Sequence, residues 1–182
     1  MRLYHAGLSV IEYPDVTRGR SNADFGRGFY LTTEREFALG WSRWRDGSKV
    51  RINAYELDVE GLVVHEFERD VAWFDYIFSN RNGAADTLSA DVVMGPIAND
   101  TIFDTLGVIT SGLLTPEQSL ALLMVGPTYR QVALKTERAA SRLTWISAET
   151  PDAAELEGVR AAIAEAERSY LKEFNAKLGE IM

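Results

Sequence analysis

The sequence contains no cysteine and only two histidines, His5 and His65, among its 182 residues. Without cysteine, disulfides, thiolate metal sites and cysteine nucleophiles are excluded within this chain. Two histidines are too few for a histidine-rich zinc site, so we expect no metal cofactor.

Long apolar runs are also lacking. No stretch approaches the ~20 apolar residues that a membrane-spanning helix needs. The first ten residues, MRLYHAGLSV, do not contain the apolar core of a signal peptide. We therefore expect a cytoplasmic protein without a membrane partner.

Positive charge is scarce overall but concentrated early in the chain. The sequence has 19 Lys and Arg against 27 Asp and Glu, a formal net charge of −8. This balance argues against duplex nucleic acid as the main partner, because counterion release needs a basic face. A local basic site in an acidic chain suits a small phosphorylated ligand better than a polymer. The early basic residues are Arg18, Arg20, Arg27, Arg35, Arg43, Arg45, Lys49 and Arg51.

Alternating apolar residues and turn formers predict an α+β fold with many short strands and helices between them. Helices are expected after a Thr33–Glu36 capping box, after Asp70, and after Thr115-Pro116, whose Gln118 completes a second capping box. The strands are expected at residues 2–8, 28–31, 50–59, 62–67, 91–94, 131–135 and 143–147.

The tail has a different pattern. Thr150-Pro151 opens a long helix with one apolar stripe, which packs on its own domain or on a partner. We therefore divide the chain into a domain at residues 1–149 and a carboxy-terminal helix at 150–182. The stripe comprises Leu156, Val159, Ile163, Ala166, Tyr170, Phe174 and Leu178.

Four local features are candidates for chemistry: Leu3-Tyr4-His5, the run Gly26-Arg27-Gly28-Phe29-Tyr30, Trp41, and Tyr129-Arg130-Gln131. Each has a structural explanation when taken alone. His5 fits a core histidine, the glycines fit a tight turn, the aromatic residues fit a core, and Gln131 fits an ordinary strand residue. Their order along the chain favours a functional interpretation.

In that order the features resemble the NAD-binding core of the diphtheria-toxin-like ADP-ribosyltransferases, which include the poly(ADP-ribose) polymerases. In those enzymes a first strand carries Leu-x-His-Gly, matched here by Leu3-Tyr4-His5-Ala6-Gly7. A second strand carries Gly-x-Gly-apolar-Tyr, matched by Gly26 to Tyr30, and a further aromatic residue follows eleven positions later, at Trp41. A late strand carries Tyr-x-Glu, matched in frame by Tyr129-Arg130-Gln131.

The chain is also similar to an uncharacterised bacterial family allied to this fold. Residues 24–32, Asn80-Arg81 and residues 95–100 carry that likeness. The resemblance spans residues 1 to about 147 and leaves the tail helix outside. It implies an ADP-ribosyltransferase-like split β-sandwich with flanking helices.

The resemblance implies specific roles for these residues, with NAD as substrate. Tyr30 and Trp41 stack on the cationic nicotinamide, while His5 donates a hydrogen bond to the adenosine ribose and Gln131 binds the ribose 2′-hydroxyl. Backbone groups of Ala6 bind the carboxamide. Gly28 belongs to the NAD-binding strand, and Arg18, Arg20 or Arg27 meets the pyrophosphate.

Two departures from the family pattern affect the expected activity. Ala6 replaces a glycine, which makes close backbone approach harder. Gln131 stands where polymer-forming enzymes carry Glu, and an amide cannot take a proton. A further acid is sought among Asp91, Asn99 and Asp100 beside Gly95-Pro96, although a capped turn explains them equally.

We therefore expect transfer of single ADP-ribose units by a mono-ADP-ribosyltransferase, a glycosyltransferase acting on NAD. Bacterial relatives of this kind are often toxins that are neutralised by an antitoxin partner. The alternatives are an NAD glycohydrolase and a catalytically inactive NAD-fold binding module. The acceptor stays open among a protein side chain, a nucleic-acid base, a terminal phosphate and a small molecule. The loops at residues 13–24 and 100–112 are expected to face it.

Overall fold

A computed structural model describes residues 1–41, 49–99 and 112–181. The fold is α+β, and the described residues form seven strands and five α-helices. The strands are β1 (Arg2–Gly7), β2 (Phe29–Leu31), β3 (Arg51–Leu57), β4 (Val64–Glu66), β5 (Val92–Pro96), β6 (Arg130–Leu134) and β7 (Leu143–Glu149). The helices are α1 (Arg35–Trp41), α2 (Val71–Arg81), α3 (Pro116–Leu123), α4 (Glu137–Ser141) and α5 (Ala153–Ile181).

The strands form two sheets. One has the order β1-β3-β7, and the other has the order β2-β6-β5-β4. All neighbouring strands are antiparallel except β4 and β5, which are parallel. Strand β1 is therefore at the edge of the first sheet and β2 at the edge of the second, and these two edges meet.

Three apolar clusters form the core. The cluster that joins the sheets contains Leu3 of β1, Tyr55 of β3, and Leu31 of β2. The largest cluster lies on the other side of β2 and β6 and includes Trp73, the largest fully buried side chain of the described residues. A small third cluster lies between α1, β3 and the start of α5.

Helix α5 packs on its own chain along most of its length. Its first turns contribute Leu156 and Val159 to the small cluster. Further along, Tyr170 and Phe174 are buried in the largest cluster. No helix in residues 1–41, 49–99 and 112–181 is long and apolar enough to cross a membrane.

Helix boundaries follow the local signals in most places. The Thr115 capping box is formed, with Gln118 Oε1 accepting from the Thr115 amide at 2.8 Å, and Asp70 caps α2. The Thr33–Glu36 box was the wrong prediction, because α1 begins only at Arg35. Thr32 still belongs to the sheet edge, and its hydroxyl accepts the Glu34 amide, which delays the start of the helix.

Candidate functional site

The two sheets meet at one backbone bridge and then separate. Tyr4 donates its amide to the Thr32 carbonyl at 2.8 Å and accepts the Thr32 amide at 3.0 Å. Because alternate residues of a strand direct their backbone groups to the same side, Ala6 and Tyr30 direct theirs toward this junction. They would form the next antiparallel pair beyond the bridge. We call the space between them the strand split.

The His5 side chain closes part of the strand split. Its Nδ1 lies 2.9 Å from the Tyr30 carbonyl oxygen, and its ring lies 4.7 Å from the Phe29 ring between centroids. Since a carbonyl can only accept, Nδ1 carries the proton. Burial lowers the pKa of His5, and the bond to Tyr30 only partly opposes this. His5 is thus neutral at pH 7 with Nε2 as an acceptor, whereas the sequence predicts that His5 donates to a ribose.

Tyr30 extends to the opposite side of β2 from Phe29. It packs against the largest core cluster, and its hydroxyl donates to the Gly26 carbonyl at 2.6 Å and accepts the Phe25 amide at 3.0 Å. Burial, followed by the nearby Asp24 charge, raises the pKa of the Tyr30 hydroxyl, which stays protonated. The tyrosine therefore closes the glycine-rich loop that leads into its own strand.

The loop before β2 depends on its two glycines. Gly26 has a φ of 71°, which a side chain rarely adopts. Gly28 has no room for a side chain, because a Cβ there would lie 2.7 Å from the Leu134 carbonyl oxygen of β6. Gly19 in turn packs directly on the backbone of Gly28. Gly28 is thus a close-approach residue in the structure.

Three polar side chains, two from α2 and one directly after β6, form hydrogen bonds to this loop. Arg81 Nε donates to Asp24 Oδ1 at 2.8 Å, and both side chains are largely buried. Asn80 Nδ2 donates to the Asp24 carbonyl at 3.1 Å, and Lys135 donates to the Phe25 carbonyl. The Asn80-Arg81 pair noted in the sequence is the main support of the loop.

The three arginines expected at a pyrophosphate are neighbours in space. Arg18 and Arg20 flank Gly19, while Arg27 precedes Gly28, and these two glycines touch. All three arginines are exposed, and none forms an ion pair with another described residue. We call these three exposed residues, whose backbones meet at the contact of Gly19 with Gly28, the arginine patch.

Gln131 occupies the strand beside Tyr30. Tyr30 pairs with Ala133 and Leu31 with Val132, so the same register places Gln131 beside Thr32, on the face that Tyr30 uses. The Gln131 side chain is buried, and its Nε2 has no hydrogen-bond partner. An unsatisfied buried amide costs about 1–3 kcal/mol of folding free energy.

Trp41 belongs to an aromatic stack. Its ring lies 5.8 Å from the Phe37 ring, and Phe37 lies 4.3 Å from Tyr129 at an interplanar angle of 14°. Tyr129 immediately precedes β6, two residues before Gln131. The described rings show no direct contact between Trp41 and Tyr30, so the expected sandwich of these two residues around a ligand stays a prediction.

The remaining acid candidates have structural partners. Asp91 accepts the Val63 amide at 2.9 Å and the Thr136 hydroxyl at 2.7 Å, and these bonds lower its pKa. Asn99 donates to the carbonyls of Val125 and Pro127, while its buried Oδ1 has no partner. Both hold turns, as the structural explanation predicts. Asp100, with most of the 100–112 loop, lies outside the described residues.

The sequence places Phe37 and Trp41 at helical spacing but did not indicate that Phe37 stacks on the Tyr129 ring. The Phe37–Trp41 spacing of four is a local signal for one helix face. By contrast, the contact from Phe37 to Tyr129 joins residues 92 positions apart and has no local signal. Glu34 was missed as well, and its charge contributes, after burial, to raising the pKa of Tyr129.

The sequence of residues 1–145 matches the model of a protein family of unknown function, DUF3990. The chain belongs to the DUF3990 family. No curated protein shows significant similarity to it. In this DUF3990 chain the matched segment includes the strand split, the arginine patch and Gln131, but ends before α5 begins. Across the described part of the chain, no group of three or more His, Asp or Glu residues is placed to hold a metal ion.

Proposed function

We propose that the chain binds NAD at the strand split and transfers single ADP-ribose units from it to an acceptor, on an ADP-ribosyltransferase-like scaffold. The observation that carries the proposal is the junction itself. Two edge strands separate after one bridge, and the His5 imidazole, the Ala6 backbone and the Tyr30 backbone face the resulting space. Gln131 lies opposite Thr32 in the β2–β6 register, and Tyr129 of the aromatic stack is two residues before it in the chain.

Each part of NAD has a chemically suitable neighbour. The carboxamide needs one donor and one acceptor, which the Ala6 backbone offers on the open edge of β1. A ribose hydroxyl donates to Nε2 of neutral His5. The pyrophosphate suits Arg18, Arg20 and Arg27, and the cationic nicotinamide suits the faces of Tyr30 and Trp41.

In the reaction the bond between ribose C1′ and the nicotinamide nitrogen breaks. The electron pair stays on nicotinamide, and the sugar passes through an oxocarbenium-like transition state. A nucleophilic atom of the acceptor then bonds to C1′ and loses its proton to solvent. Gln131 orients the 2′-hydroxyl but takes no proton, so the proposed reaction is transfer of one unit and not polymer synthesis.

Nicotinamide release tests the proposal. The full chain is incubated with NAD, with and without cell lysate, and free nicotinamide and labelled macromolecules are followed. Transfer predicts release that depends on lysate, with label on an acceptor. Tyr30→Ala and His5→Ala are expected to abolish release, whereas Val71→Ala, at an exposed position of α2, retains it. A normal rate in folded Tyr30→Ala would contradict the site.

Gln131 also supports a second candidate, a binding module that holds NAD without turnover, because the position lacks a carboxylate. That candidate predicts saturable NAD binding without release. Release without any acceptor would instead indicate an NAD glycohydrolase on the same scaffold, with water as the acceptor.

A further inference from the structure

Helix α5 lies outside the family match, yet it contacts the two segments that form the aromatic stack. One segment is α1, which carries Phe37 and Trp41. The other is the turn at residues 124–128, which leads directly into Tyr129 and Gln131. The Phe37–Tyr129 contact at 4.3 Å is where these two segments meet.

The first half of α5 packs on α1. A Cβ on Gly40 would lie 3.0 Å from Ile163 Cδ1, so the two helices approach closely beside Trp41. Leu39 packs with Leu156 and Val159 in the small cluster. Glycine inside a helix costs about 0.5–1 kcal/mol relative to alanine, and this close contact accounts for it at residue 40.

Ion pairs also join α1 to the start of α5 and to the end of β7. Arg35, the first residue of α1, donates to Glu155 at the start of α5 and to Glu149 at the end of β7, the latter at 2.9 Å. These carboxylates, Glu155 foremost, raise the pKa of Arg35. Arg35 therefore fixes the end of α1 from which Phe37 and Trp41 follow.

The second half of α5 packs on the turn before β6. Tyr170 is buried, and a Cβ on Gly126 would lie 2.7 Å from Tyr170 Cδ2. The same turn is held from its other side by Arg69, which donates to the Val125 and Gly126 carbonyls, both at 3.2 Å. Because this turn is closely packed on α5, a shift of the helix would move Tyr129.

We propose that α5 is a positioning element of the site: it sets α1 against the turn at 124–128 and so holds Phe37, on which Trp41 stacks, against Tyr129. Ile163 and Arg35 are the positioning residues, and they act through α1 rather than by touching a ligand. The role in NAD binding rests on the proposed function, but the mechanical role does not.

Two variants with matched controls test this role. Ile163→Ala removes the contact with Gly40, and Lys172→Ala is its control on an exposed face of the same helix. Glu155→Gln weakens the bond to Arg35, and Glu157→Gln, two residues away, is its control with a side chain 75% exposed. Hydrogen exchange of residues 35–41 and 128–131 is measured in each full-length variant, together with NAD turnover.

The proposal predicts faster exchange in both segments for the two test variants and not for the controls. It also predicts a KM for NAD raised roughly threefold to tenfold with kcat changed less than about twofold, because stacking on the cationic ring is ground-state binding. A lower kcat at constant KM would indicate a merely structural helix. Glu155→Asp, which keeps the carboxylate, is expected to bring the KM for NAD most of the way back to the wild-type value.

Unchanged hydrogen exchange in α1 and at Tyr129 in folded Ile163→Ala would overturn the proposal. If Ile163→Ala does not fold, the same measurement on Glu155→Gln decides. If the wild-type chain neither binds nor cleaves NAD while exchange changes as described, the proposed function fails and α5 keeps its positioning role. The two ideas thus fail separately.

Discussion

At the residue scale, His5 of β1 forms a side-chain hydrogen bond to β2 and is also a candidate ligand-binding residue. Its Nδ1 satisfies the Tyr30 carbonyl at the point where the two edge strands separate, and the same bond leaves Nε2 as an acceptor. A strand histidine in the sequence predicts a buried position or a ligand contact. In the structure Nδ1 has the first role, and the second stays a proposal for Nε2.

The lowered pKa of His5 makes fold stability depend on pH. Its folded value lies below 6.5, so the unfolded chain binds more protons in this range. The stabilisation is present above pH 6.5 and is lost as pH falls through the folded pKa, by at most ~1.4 kcal/mol per pH unit. Thermal melts from pH 7.5 to 5 are expected to show a smaller loss in His5→Gln than in wild type. An equal loss in both proteins would contradict a neutral, half-buried His5, and His65→Gln serves as the control.

Gln131 is the residue where stability and activity are expected to separate. Gln131→Leu removes the unpartnered Nε2 and fills similar space, so we expect the free energy of unfolding to rise by about 1 kcal/mol while nicotinamide release is lost. Gln131→Glu is expected to preserve or raise release. Denaturant melts and the release assay measure both effects, and full activity of Gln131→Leu would remove Gln131 from the site.

Gly28, a predicted NAD-binding residue, is also required for steric reasons, because its position has no room for a side chain. In Gly28→Ala the new methyl group meets the Leu134 carbonyl, which cannot move without disturbing the β2–β6 ladder. We expect a loss of about 1–3 kcal/mol in unfolding free energy.

The control for Gly28→Ala is Gly158→Ala in α5, where a Cβ meets nothing within 4 Å. This variant is expected to be more stable by about 0.5–1 kcal/mol, because alanine favours a helix. Equal effects of the two substitutions in denaturant melts would contradict the close approach at Gly28.

At the element scale, the loop before β2 is held by a distant helix. Asp24 and Arg81 are 57 positions apart and form a largely buried ion pair. The sequence shows Asn80-Arg81 only as a matching phrase, since nothing local indicates what a helix end contacts. In the structure, Asn80 and Arg81 at the end of α2 bind Asp24 in the loop that Tyr30 closes.

Arg81→Met is expected to destabilise the fold by about 3 kcal/mol, because Asp24 then stays buried without its cation. Arg138→Met is the matched control. Arg138 also pairs with a buried aspartate, Asp91, but its own side chain is 62% exposed, so its loss should cost no more than about 1 kcal/mol. Chemical denaturation distinguishes the two, and a loss for Arg81→Met no greater than for Arg138→Met would show that the loop does not need this support.

Elements with local signals were the predictable part of the fold. Asp70 and the Thr115–Gln118 box lie in sequence next to the helices they cap, and all seven strands fall within or close to the expected ranges. Helix α4 was missed because it has only 5 residues and no apolar period. Strand order was not predictable, since β2 pairs with β6 across about a hundred residues and only tertiary packing selects it.

At the scale of the whole molecule, the site depends on how two sheets meet. His5, Tyr30, Trp41 and Gln131 lie on β1, β2, α1 and β6, and the Tyr4–Thr32 bridge together with the β2–β6 ladder brings three of these elements together. The fourth, α1, is set by α5, which a motif search over residues 1–145 does not include. Motif order predicts these residues as a site, and the structure shows the long-range packing that holds them in place.

A crystal structure of the full chain with NAD tests the central claim most directly. It is expected to place the nicotinamide carboxamide on the Ala6 backbone, the ring beside Tyr30 and Trp41, a ribose hydroxyl on His5 Nε2, and the pyrophosphate near Arg18, Arg20 or Arg27. NAD bound elsewhere, or an empty strand split in crystals saturated with millimolar NAD, would contradict it.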